Sequence, residues 1–320
     1  MDCIWVHQQR NNRLQQIEFT NMWIDRKNIF NQHHAQVPII DMMDDKWRIY
    51  YSTRFNGKSQ PMWVDVEVNN PTKILNQSSG PILDLGKTGT FDVAGVMPTE
   101  LIEVDGVKYM YYIGWTNRQD TPYHNTIGLA TSKDGGDNWN KFSEGPVLGT
   151  SWLEPGFIGT IAVLQKNNTF YGYYLSCREW KDFDGKLEPL YDIKIAVSDD
   201  GIDWTPTGIV AIPLKDDEGG ISKASIIKHN DMYLMWYSVR KDHNYRTNPD
   251  ASYRIKCVSS TNLWDWEDTN GFGLDIDLDS NWDNEMVAYP HIFKYNGELQ
   301  MLYNGNTFGK TGIGHVRFKN

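Results

Sequence analysis

The sequence predicts an all-β chain, specifically a five-bladed β-propeller of four-stranded antiparallel blades whose ring is closed by an N-terminal strand. Three observations predict it. One unit recurs about every 63 residues: a turn, an apolar strand, a Tyr/Trp-rich strand, then a strand ending in a Ser/Asp/Gly/Trp turn. The strands are short and punctuated by Gly, Asn and Asp, and no long stretch carries the 3.6-residue apolar period of a helix. Five such units account for nearly all 320 residues as a single domain spanning 1–320, and a radial array is how four-stranded sheets hide their edges.

The aromatic strands are Arg48 to Thr53, Tyr109 to Trp115, Phe170 to Ser176, Met232 to Ser238 and Leu299 to Asn304. Third strands with their turns run Ile127 to Trp139, Ile193 to Trp204 and Ile255 to Trp266, and Ile313 to Phe318 supplies a third strand in the last unit. Outer strands are expected at Gly80 to Leu85, Gly145 to Leu148, Gly208 to Ile212 and Gly271 to Ile276. The last unit lacks one, and Arg13 to Phe19 is the expected closing strand.

The formal net charge of −10 and pI near 5.3, with no Lys/Arg run, argue against nucleic acid or an anionic membrane as partner. No basic-then-apolar leader and no run of 18 apolar residues is visible, which reads as cytoplasmic. Cys3, Cys177 and Cys257 are odd in number and lack metal-like spacing, as in a reducing compartment. No metal or other cofactor is expected. Asp275, Asp277 and Asp279 alternate and could hold a cation, but a solvated outer strand is the simpler reading. With 13 Trp and 17 Tyr the chain is rich in rings that serve packing between blades or saccharide platforms.

Inner strands begin together at one face of a propeller, so chemistry is sought just ahead of them. Aligning Pro38, Pro98, Thr160, Ala224 and Pro290 places Gln32, Asp92, Glu154 and Glu218 six residues earlier and Glu285 five earlier, while the first unit offers His33 and His34. Asp92, Glu154, Glu218 and Glu285 are therefore the candidate catalytic carboxylates: clustered acids push their pKa values apart, as acid/base work on an acetal requires. Acids before a strand also serve simply as turn hydrogen-bond acceptors. Candidate binding residues sit where the aromatic strands return to the same face: Arg54, Trp115, Arg118, Arg178, Trp180, Arg240 and Asn306, with His33 and His34. The arginines either hold an anionic ligand through planar forks or neutralise the acids; Lys223 and His291 could add to either role. His33 and His34, adjacent on an entering strand, would point to opposite faces and so would not share a metal.

Ser132-x-Asp134-x-Gly136-x-x-Trp139 matches the Asp-box turn of sialidase-type propellers, and Ser198-x-Asp200-Gly201-x-x-Trp204 follows it; both read as structural. Together with the YYIGW and MWYS strands and the acids at inner-strand starts, these turns make the whole chain resemble the five-bladed propellers of glycoside hydrolase families 43, 32 and 68, with the family 130 phosphorylases as relatives. By blade position the resemblance implies an orienting acid at Asp92 and a general acid at Glu154. The first-blade Asp has no counterpart, since the chain reads His33-His34-Ala35-Gln36-Val37-Pro38. Three readings stay open: a glycosidase working through paired carboxylates, a phosphorylase or other enzyme on an anionic glycan, and a non-catalytic carbohydrate-binding propeller. In each, the partner is a saccharide or glycoconjugate, acidic or phosphorylated in the second.

Overall fold

A computed structural model describes residues 22–269 and 271–319. Among these the chain is all-β, with strands β1 (Trp23–Phe30) to β20 (Ile313–Phe318) and two short helical turns, Pro249–Ala251 and Asn306–Gly309. The strands form five antiparallel meanders. The first is β2 (Gln36–Met42), β3 (Lys46–Phe55), β4 (Lys58–Glu67) and β5 (Asn70–Gln77). The second is β6 (Gly95–Val104), β7 (Val107–Thr116), β8 (His124–Ser132) and β9 (Asn140–Lys141). The third is β10 (Ile158–Lys166), β11 (Thr169–Phe183), β12 (Lys186–Ser198) and β13 (Thr205–Ile212). The fourth is β14 (Glu218–His229), β15 (Met232–Lys241), β16 (Arg254–Ser260) and β17 (Glu267–Asp268). The last is β18 (Ala288–Tyr295), β19 (Glu298–Asn304) and β20, completed by β1.

The aromatic strands thus lie where the repeat places them, at β3, β7, β11, β15 and β19. Two sets of expectations need correction. Arg13 to Phe19 lies outside the described residues, and the strand that pairs with β20 is β1, in register Trp23 to Phe318. Outer strands at 80–85, 145–148 and 271–276 do not form: the first, second and fourth meanders use β5, β9 and β17 instead, and Leu148 and Leu274 make only isolated bridges, to Ile127 and Ile255. Those Gly-Pro and Gly-Phe-Gly segments lack enough consecutive donors and side chains to hold a ladder. Asp275, Asp277 and Asp279 accordingly lie in a loop, with Asp275 paired to Arg254 at 2.8 Å and Asp277 accepting from the Asp279 amide.

The core is divided among faces between successive meanders. One buried cluster joins the first and second (Ile39, Tyr50, Val96, Met110), another the second and third (Tyr111, Leu129, Ile161, Phe170), and others the third and fourth and the fourth and fifth. A further cluster packs Ile29, Leu302 and Ile313 against Ile40, Trp47 and Val64, which brings the last meander onto the first. Inner strands also touch in sequence, β2 on β6, β6 on β10, β10 on β14, β14 on β18 and β18 on β2.

The Ser/Asp turns lock these faces. Ser132, Ser198 and Ser260 hydroxyls each accept a turn amide, and Asp134, Asp200 and Asn262 accept the amides beyond. Each turn then presents a carbonyl to a Tyr of the preceding meander: Tyr111 donates to Gly201 and Tyr173 to Leu263, both at 2.6 Å, and Tyr50 to Gly136 at 3.4 Å. Trp139, Trp204 and Trp266 pack edge-on against the same three tyrosines.

One buried group gives the fold a pH signature. His315 on β20 is 4% exposed with Nε2 2.7 Å from Gln300 Oε1, and burial, followed by Lys27 and Arg317, pushes its pKa down to about 4. The unfolded chain binds this proton near 6.5, so the contribution to stability is complete above that pH. It is lost as pH falls from 6.5 to about 4, worth about 3 kcal/mol in all. Denaturation midpoints of His315→Gln are expected to lose that segment of acid dependence.

Candidate functional site

All five inner strands slip register near their start: between Gln36 and Ile39, Pro98 and Glu100, Ile158 and Ile161, Ser222 and Ser225, and Ala288 and His291. Such bulges re-aim side chains and concentrate beside sites. At three of them a side-chain-bearing residue is left-handed: Val37 (φ 55°), Lys223 (φ 49°) and Tyr289 (φ 57°). This is strained, most of all for β-branched Val37, and persists only where neighbours impose it. The neighbours are visible: Asn304 Oδ1 accepts the Val37 amide at 2.8 Å, Thr160 Oγ1 that of Lys223 at 2.8 Å, and Ser238 Oγ that of Tyr289 at 2.7 Å.

The bulges ring a pocket of about 600 Å³, of a size for a mono- or disaccharide. Inner-strand starts supply Gln36, Thr160, Ser222 and Tyr289 to its walls, and the returning middle strands supply Arg54, Ile113, Trp115 and Leu175. The remaining wall departs from the repeat. β11 and β12 run on as a long hairpin turning at Asp184 (φ 53°) and Gly185 (φ 85°), the left-handed pair that a two-residue hairpin needs. This extension carries Glu188 and Tyr191, against which the segment between β15 and β16 lays Tyr245, Arg246 and Tyr253.

The pocket is aromatic and polar, and no Asp or Glu lines it among the described residues. His34 Nδ1, Gln36 Oε1, Ser59 Oγ and Ser222 Oγ are buried there without a protein partner; unmet buried polar atoms in a cleft are what a polar ligand satisfies. Burial, then His33, Arg54 and Lys310, hold the His34 imidazole below its usual pKa, so it is neutral at pH 7. Behind the wall Arg240 is 1% exposed and donates to Tyr191 Oη (3.1 Å) and to the carbonyls of Pro189, Lys241 and Asp242. Its guanidinium lies 3.8 Å from the Tyr245 ring centroid and 4.8 Å from that of Tyr191. Arg246 and Lys186 both pair with Glu188, which Tyr245 also contacts at 2.6 Å, and these donors draw the Glu188 pKa down to about 2 against the opposing effect of its burial.

Of the residues singled out from sequence, the pocket gathers His34, Arg54 and Trp115. His33 is exposed with its ring edge-on to His34 at 4.2 Å; both precede β2 in a turn instead of lying on a strand. Arg118 is exposed and pairs with Asp120, and Arg178 is exposed 3.9 Å from Asp192. Trp180 supports the wall by packing on Tyr123 and Phe157. Asn306 accepts the amides of Glu285 and Met286.

The four candidate acids lie outside the pocket lining, and three have structural partners in plain sight. Asp92 accepts from Tyr112 Oη (3.2 Å) and Lys141 (2.6 Å). Glu154 accepts from Tyr174 Oη (2.9 Å), Ser176 and Lys194 (3.0 Å). Glu218 takes Lys256 and the Lys215 amide. In the last meander the equivalent acid is Asp283, bonded to Tyr303 Oη (2.8 Å) and Arg26, while Glu285 is exposed. For Asp92, Glu154 and Asp283 the spacing from acid to tyrosine is 20 residues, a signal present in the sequence. Beside Glu154, burial pushes Asp192 up to about 6. Lys223 and His291 are buried on the inner strands with Glu100, whose pKa burial raises while the Lys223 pKa is lowered.

Two curated relatives from Mycobacterium tuberculosis, "Uncharacterized protein Rv1502" (strain H37Rv) and "Uncharacterized protein MT1551" (strain CDC 1551), are each 30% identical over 300 residues, 91% of this chain and 94% of theirs. The chain belongs to their family. No family model matches this member. Among solved structures, it resembles a "Glycoside hydrolase" (TM-score 0.71, 19% identity, 98% of this chain and 95% of that one). It likewise resembles a BT0996 RGII complex (0.69, 20%, 96% and 94%) and a thermostable family-43 glycoside hydrolase (0.65, 20%, 89% of each). The all-β fold of this chain is thus similar to that of propeller glycoside hydrolases. No helix among the described residues is long and apolar enough to cross a membrane.

Proposed function

We propose that this chain is a single-domain, five-bladed, glycoside hydrolase-like propeller, closed by β1, whose pocket binds a saccharide. The five meanders, the cyclic order of inner-strand contacts and the five inter-meander clusters support the architecture. One observation carries the function: the pocket sits at the inner-strand bulges, offers Trp115 and five tyrosines beside four unpartnered buried polar atoms, and has no carboxylate in its lining among the described residues. Aromatic faces over sugar C–H surfaces with scattered hydrogen-bonding groups are the chemistry of saccharide recognition. Acid/base hydrolysis requires two carboxylates flanking the scissile bond. In this reading Asp92, Glu154, Glu218 and Glu285 serve the fold, and the pocket works by binding. The neighbour named as an RGII complex favours a saccharide ligand.

The test is calorimetric titration of a panel of mono- and oligosaccharides, with aryl glycosides assayed in parallel. Wild type is expected to bind at least one saccharide, and Trp115→Ala to weaken it roughly three- to tenfold. Absence of binding across the panel, or aryl glycoside turnover abolished by Glu154→Gln in a folded protein, would overturn this reading.

A further inference from the structure

The pocket's charge is unusual for so acidic a chain. Net charge is −10, yet no acid lines the pocket among the described residues, and the charged side chains at or behind its walls are mostly cationic. Arg54 lines it without an ion pair among the described residues. Glu188 is shared by two cations, Arg246 and Lys186. Arg240 is fully buried, and its polar contacts are three carbonyls and a phenol, none of them a carboxylate. A guanidinium does not give up its proton, so this buried charge is balanced only by dipoles and ring faces.

The hydrogen bonds around Arg240 have a direction. Its Nε–H donates to Tyr191 Oη, which shares a further hydrogen bond with Tyr253 Oη in which either phenol can be the donor. With one side of Tyr191 Oη taken by the guanidinium, the arrangement in which Tyr191 donates to Tyr253 leaves the Tyr253 proton for a ligand. Both phenols line the pocket. A hydrogen-bond chain that starts at a fixed cation polarises each successive O–H in the same sense. In that arrangement Tyr253 is a strengthened donor, in a pocket that also holds Arg246 and Arg54.

We propose that this corner of the pocket seats the anionic group of an acidic saccharide, with Tyr253 donating to it, Arg240 acting through Tyr191 as a positioning residue, and Arg54 and Arg246 supplying charge. The proposal rests on the pocket being a saccharide site and adds the class of saccharide. A carboxylate and a phosphate present the same acceptor oxygens to these donors, so the probes separate them.

Galacturonate is compared with galactose, and glucose 6-phosphate with glucose, by calorimetric titration at low and high salt. The charged member of at least one pair is expected to bind at least tenfold tighter, with that preference shrinking as salt rises; the pair showing it identifies the anion. Tyr253→Phe is expected to lower affinity for the charged sugar roughly tenfold or more, as for a hydrogen bond to a charged group, and for the neutral sugar by clearly less. Arg54→Gln, at an exposed position where folding is not at issue, is expected to reduce the salt dependence. Equal affinity for charged and neutral partners, or equal losses for both in Tyr253→Phe, overturns the proposal while leaving saccharide binding standing. Failure of every sugar to bind overturns both.

Discussion

Replacing Glu154 with Ala is expected to destabilise the protein by about 3–5 kcal/mol, the usual cost of removing one partner from a buried ion pair. The carboxylate is 1% exposed and receives Tyr174, Ser176 and Lys194 together, so its loss leaves a cation and two hydroxyls without their acceptor. Glu154→Gln keeps an acceptor for Tyr174 but not the charge facing Lys194, and is expected to fall between wild type and Ala. Denaturant titration measures the loss. Saccharide affinity measured under conditions where both variants remain folded is expected to match wild type, because Glu154 does not reach the pocket. The same logic applies to Asp92 with Tyr112 and Lys141, and to Asp283 with Tyr303 and Arg26.

Trp23→Ala is expected to cost a similar amount, about 3–5 kcal/mol, for a different reason: it opens a cavity where the last meander is completed. The Trp23 ring is 4% exposed, meets Trp236 and Phe318 edge-on at centroid distances of 6.1 and 5.2 Å, and donates Nε1–H to the Phe272 carbonyl at 3.0 Å. Both edges of that cavity belong to meanders that depend on their neighbours for their buried faces. Unfolding is therefore expected to remain one cooperative transition displaced to lower denaturant, without a separate early step. An early step would mean that β1 is held independently of the rest.

The sequence is most readable where the repeat is strict. Alternating apolar and aromatic residues locate β3, β7, β11, β15 and β19, and the Ser/Asp turns declare their role because their side chains bond within a few residues of themselves. The acids ahead of the inner strands are equally visible, but their purpose depends on a tyrosine 20 residues away on the next strand, which a search for clustered carboxylates does not examine. In the last meander that omission also shifts the register, choosing exposed Glu285 over buried Asp283. The pocket itself draws on residues that break the period: Tyr191 on the extended hairpin, and Tyr245, Arg246 and Tyr253 after β15. A comparison of repeats discards such insertions, although the Asp184-Gly185 pair between alternating strands is a legible hairpin signal.

The pairing of β1 with β20 also sets an order on biosynthesis. Asp25 and Arg317 meet across 292 residues of chain, so β1 leaves the ribosome long before its partner exists. Throughout that interval its apolar side chains, Trp23 and Phe30 among them, and its unpaired backbone edge are available to other nascent chains. The earlier meanders can gather behind it, but the step that finishes the fold is the one of greatest sequence separation and the slowest to find. The first strand described thus waits unpaired while everything between it and its partner is made.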